Sequence, residues 1–131
     1  MTLFPEYNIK KTPYMQFIAD IFGNNFDETL QNYWAEQILN NKIDIHQNVQ
    51  GIFVQLCGKG NIVSARWIYS FVQTYPNLGT IDISEVKLFL WLCEEGQIEI
   101  AKWFCTLIPA YKIVVIDNEI IEMYVNDKIV E

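Results

Sequence analysis

Few residues in this chain could do chemistry, and each lacks the company that chemistry needs. His46 is the single histidine, with Asp44 two positions before it. A general base must have a nucleophile or acid held within hydrogen-bond reach. No second histidine or suitably spaced cysteine supplies one, so His46 reads as a polar residue at a turn tip. The cysteines Cys57, Cys93 and Cys105 form no Cys-x-x-Cys pair. A structural zinc takes four ligands, so these thiols read instead as small apolar groups packed between helices. Glu94-Glu95 resembles a carboxylate pair, but neighbouring residues on a helix point about 100° apart and do not readily share a proton. No glycine-rich phosphate loop and no Gly-x-Ser-x-Gly elbow is present. The expectation is a chain with no catalytic centre, no metal and no cofactor.

The elements that must position these residues come from an internal repeat. Phe53-Val54-Gln55-Leu56-Cys57-Gly58-Lys59-Gly60 and the run to Trp67 register on Phe89-Leu90-Trp91-Leu92-Cys93-Glu94-Glu95-Gly96 and the run to Trp103 at a spacing of 36 residues. Seven of these fifteen pairs are identical, enough to indicate a stack of helical units. In order, residues 1–11 read as an N-terminal arm and residues 12–42 as a helix pair. The first helix of that pair starts at Thr12-Pro13 and carries Tyr14, Phe17, Ile18, Ile21 and Phe22 on one stripe. The second starts at Asp27 and buries Leu30, Trp34, Ile38 and Leu39. Repeats follow at 43–80 and 81–115, each opened by an extended turn, Ile43-Asp44-Ile45 or Ile81-Asp82-Ile83. Gly60 and Gly96 supply left-handed helix exits, Ser84 reads as a helix cap, and Pro109 ends the last pair. Residues 116–131, with Ile120, Ile121, Tyr124 and Val125 at helical spacing, read as an amphipathic helix closing the stack.

The run from Gly96 to Phe104, together with Leu92-Cys93-Glu94-Glu95, resembles the second-helix signature of ankyrin repeats. Its late Trp103-Phe104 is similar to the divergent repeats encoded by large DNA viruses. The Thr-Pro-Leu-His opening of the family is absent, with Lys87-Leu88-Phe89-Leu90 in its place. The period also departs from the usual ~33 residues, so looser turns are expected. Tetratricopeptide repeats also pair helices but lack the extended turn between units. The resemblance implies an all-α fold: a short ankyrin-like solenoid of about three helix pairs plus a C-terminal capping helix. It also implies that first helices and their preceding turns line a concave binding face.

Composition narrows the partners. The formal charge is −7 over 131 residues, and residues 82–131 hold ten acidic against four basic side chains. Such a chain repels phosphate, which disfavours nucleic acid and anionic membrane and favours a protein partner steered by basic charge. Residues 1–11 have no signal-peptide pattern, and the unpaired cysteines suit a reducing, cytoplasmic setting. Four Trp, seven Tyr and eight Phe exceed what a small core hides. Trp91 has Gln55 as its repeat partner, so it reads as partly exposed, as binding hot spots are. The expected function is a non-catalytic protein-interaction module, possible in a viral protein acting on a host partner. Its binding residues would be Trp91, Glu94, Glu95, Gln55 and Lys59, flanked by His46, Gln47 and Glu85. Alternatives are a self-associating homo-oligomer with apolar surface at 1–30 or on the C-terminal helix and, behind it, a small enzyme.

Overall fold

The computed structural model describes residues 12–130; the arm read at 1–11 and Glu131 lie outside the described residues. The chain divides into two compact units, residues 1–44 and 45–131.

The first unit holds α1 (Pro13–Ile21) and α2 (Glu28–Leu39). Both start where capping chemistry puts them. The Thr12 hydroxyl accepts the Met15 amide at 3.1 Å, and the Asp27 carboxylate accepts the Leu30 amide at 3.0 Å. Phe17, Ile21, Trp34 and Ile38 turn inward. Phe17 meets Trp34 edge-on at 5.4 Å, and the Trp34 indole N–H donates to Asp20 Oδ2 at 2.8 Å. A buried indole is thereby left with its polar tip satisfied. Leu39 departs from the expected stripe: it is exposed, the last residue before α2 ends in left-handed Asn41.

The second unit opens with α3 (Val49–Gly58) and α4 (Ile62–Thr74), followed by a short 3₁₀ turn at Pro76–Leu78. Then come α5 (Val86–Glu94) and α6 (Ile98–Leu107). The repeat is visible in the helix ends. Gly60 and Gly96 take φ of 73° and 74°. The following amides, Asn61 and Gln97, reach back to the Leu56 and Leu92 carbonyls at 2.9 and 3.0 Å. Only glycine enters this left-handed region without a Cβ clash, and the paired backbone bonds close the helix. Phe53 and Phe89, Leu56 and Leu92, and Ala65 and Ala101 are all fully buried, so the identities between copies are packing positions. Between the pairs, Ile81 and Ile83 are buried and Asp82 faces out. The Gln50 side chain pairs with the Asp82 backbone through both its amide groups, at 3.0 and 2.8 Å. Ser84 does not cap α5. Its amide and hydroxyl both donate to Asp82 Oδ1, at 2.8 and 2.6 Å, and the position before α5 is Glu85, with no side-chain cap.

The expected all-α solenoid with a C-terminal capping helix is wrong. Residues 111–129 form a three-stranded antiparallel sheet in the order β1-β2-β3, with β1 Tyr111–Ile116, β2 Glu119–Val125 and β3 Lys128–Ile129. The chain is mixed α and β. The physical reason lies in two turns, Asp117-Asn118 (φ 52° and 61°) and Asn126-Asp127 (φ 53° and 63°). A two-residue hairpin loop with positive φ at both positions matches strand twist, and Asn and Asp tolerate that conformation. The apolar spacing at 120, 121, 124 and 125 looked helical because a bulge sits there. The register runs from Val114↔Glu122 to Val115↔Ile120, leaving Ile121 unpaired. The last strand of the expected repeat 81–115 is thus β1. Its Tyr111 stacks on Phe89 with ring centres 4.2 Å apart, and its hydroxyl donates to the Ile83 and Ser84 carbonyls at 3.3 and 3.2 Å. Strands do the closing that a helix was expected to do.

Candidate functional site

The eight residues expected to bind are all exposed, but they do not form one cluster. Gln55 and Lys59 stand one helical turn apart at the end of α3. Trp91, Glu94 and Glu95 share a face at the end of α5, at spacings of three and four. His46 and Gln47 precede α3, and Glu85 precedes α5. A ten-residue helix is ~15 Å long, so these three flank the far end of the same strip. The geometry is an extended surface with no enclosed pocket among these residues.

The contact between α3 and α5 on this surface centres on a residue that the sequence reading passed over. The Trp91 ring lies against Gly58, where an added Cβ would come within 2.5 Å of the ring edge. Gly58 is the repeat counterpart of Glu94, and Gln55 that of Trp91. The two mismatches are therefore complementary: one copy drops its side chain where the other places an indole. Trp91 keeps 39% of its surface exposed. Gly51, a turn and more earlier on α3, has nothing within 4 Å of where a Cβ would stand. The floor beside Trp91 is consequently bare backbone, flanked by Lys59 on one side and Glu94-Glu95 on the other. Gln97 supports it from α6, its side-chain amide donating to the Gly58 carbonyl at 2.9 Å.

The cysteines behave as packing groups. Burial pushes the Cys57 thiol up to about 12; Cys93 also rises to about 12, through burial first and then the nearby Cys105 and Glu94. Neither forms thiolate near neutral pH, which thiol nucleophiles and metal ligands require. Cys105 is raised by burial, partly offset by a bond from the Ile113 amide. Among the described residues, no group of three or more His, Cys, Asp or Glu is placed to hold a metal ion. None of the described helices is long and apolar enough to cross a membrane.

A second concavity, which the expected C-terminal helix concealed from sequence reading, lies between α6 and β1. It encloses about 600 Å³ and is lined by Cys105, Pro109, Ile113 and Val115, with Lys102 and Lys112 among its walls. Only knowledge of the hairpin brings Lys112 and Val115 beside α6; the signal would have been the Asp-Asn and Asn-Asp dipeptides between β-branched runs.

No protein-family model, no curated protein and no solved structure matches this chain. The resemblance to ankyrin repeats therefore rests on the residues of this chain alone.

Proposed function

We propose that this chain is a non-catalytic protein-binding module that engages its partner with the exposed strip of α3 and α5. The observation that carries the reading is Trp91, partly exposed yet seated on Gly58. A tryptophan held in place by a backbone floor loses little freedom on binding, and such aromatics dominate interface energetics. Glu94 and Glu95 beside it, in a half-chain with a six-charge acidic excess, favour a partner that presents an apolar anchor next to basic residues. Kinship of the two helix pairs, 49–74 and 86–107, to ankyrin repeats belongs to the same proposal. So does a reducing compartment, with which the free thiols are compatible.

The test is Trp91→Ala. It should retain the helical circular dichroism spectrum and weaken partner binding by about 2 kcal/mol, roughly thirtyfold. Unfolding of the variant, or unchanged affinity, would remove the hot-spot role.

Self-association is a second reading, favoured by the exposure of Ile116, Ile121 and Ile129 on the hairpin. Light scattering at micromolar concentration separates the two, since a strict monomer leaves those side chains uncovered by a second copy.

A further inference from the structure

We propose that the groove between α6 and β1 receives an extended acidic segment of a partner protein, which adds to the open edge of β1 as a further strand. Three observations converge on this groove, none of them used by the α3 and α5 strip.

The first is the edge itself. β1 is the outermost strand of the sheet, and among the described residues no strand pairs with its other side. The Asn126 amide bonds the Ala110 carbonyl at 2.9 Å, which sets the alternation of the ladder. Even-numbered residues then exchange backbone bonds with β2, and Tyr111, Ile113 and Val115 turn their backbone groups outward. These same three residues line the groove. A strand edge of β-branched residues is a template for another chain.

The second is how lightly the edge is occupied. The outward Ile113 amide is held by the Cys105 thiol. Sulfur is a weak acceptor, so a peptide carbonyl can displace it without an energetic deficit.

The third is charge. Residues 82–131 contain four basic side chains, and two of them, Lys102 and Lys112, line this groove. Their present partners are carboxylates: Glu99 at 3.6 Å from Lys102 and Asp127 at 2.9 Å from Lys112. Both pairs are solvent-exposed, so exchange for an incoming carboxylate costs little. The apolar floor of Ile113, Val115 and Pro109 takes the alternate, aliphatic side chains of the same segment.

Fluorescence anisotropy with a short fluorescein-labelled peptide of alternating valine and aspartate tests this on the intact chain. Saturable binding is expected. Affinity should fall at least tenfold when alternate peptide amides are N-methylated, when lysine replaces aspartate, or in the protein variant Lys102→Glu/Lys112→Glu. Trp91→Ala should bind the peptide unchanged, which separates failure here from failure of the α3 and α5 reading. The peptide controls use the native protein and so hold even if the double variant misfolds. Absence of saturable binding overturns the proposal. Equal binding of the N-methylated peptide overturns it too, since the groove would then be taking an amphiphile and not a strand. A dimer that the peptide dissociates would assign the edge to a second copy and overturn it equally.

Discussion

At the scale of single residues, the account rests on two glycines and two thiols. Gly58 is needed because Trp91 occupies the space of its Cβ. Gly58→Ala should displace the indole, shifting tryptophan emission and lowering partner affinity along with Trp91→Ala. Gly51 has no such neighbour. Gly51→Ala should therefore raise stability by about 0.5–1 kcal/mol through helix propensity, read as a higher melting temperature. Should both substitutions stabilise equally, the seat for Trp91 does not exist. Cys57 and Cys93 make a prediction in pH. Their ordinary value is 9.0 and the folded value about 12. Above pH 9 the unfolded thiols lose protons that the folded ones keep, so the unfolded state gains. The contribution is complete below pH 9 and is lost as pH rises toward 12. Melting temperature should fall across that window, and less steeply in Cys57→Ala; an identical slope would show that the thiol is not the cause.

At the scale of elements, the helices were readable and the sheet was not. Thr12-Pro13, Asp27, Gly60 and Gly96 carry local chemistry that starts or stops a helix whatever surrounds it, and each does so here. The face of α5 was readable too, because Trp91 and Gln55 disagree across copies that otherwise match. The C-terminal segment fits two periods at once. Ile120, Ile121, Tyr124 and Val125 have helical spacing, yet the bulge at Ile121 lets the same residues lie in a strand. What decides between them is the pair of two-residue turns, and the α6–β1 groove stayed invisible because its second wall depends on that decision. Asn118 tests the assignment. At φ 61°, Asn118→Val should cost about 1–2 kcal/mol, since a β-branched residue resists the left-handed region. Asn118→Gly should stabilise slightly. Circular dichroism melts decide it, and a valine variant as stable as the original would contradict the turn.

At the scale of the whole molecule, the chain carries seven net negative charges, six of them arising in residues 82–131. An acidic field of this kind speeds encounter with a basic partner and contributes less to final affinity, which depends on a buried anchor. The α3 and α5 strip supplies the anchor in Trp91 and the charge in Glu94 and Glu95. The central claim is that this strip, and not the hairpin, is where the main partner binds. The most direct measurement is capture of that partner with the intact chain as bait, followed by hydrogen exchange on the complex. Protection is predicted across residues 51–59 and 87–95, with capture lost for Trp91→Ala and reduced for Glu94→Lys/Glu95→Lys. Undiminished capture by Trp91→Ala, with protection confined to residues 102–116, would contradict it.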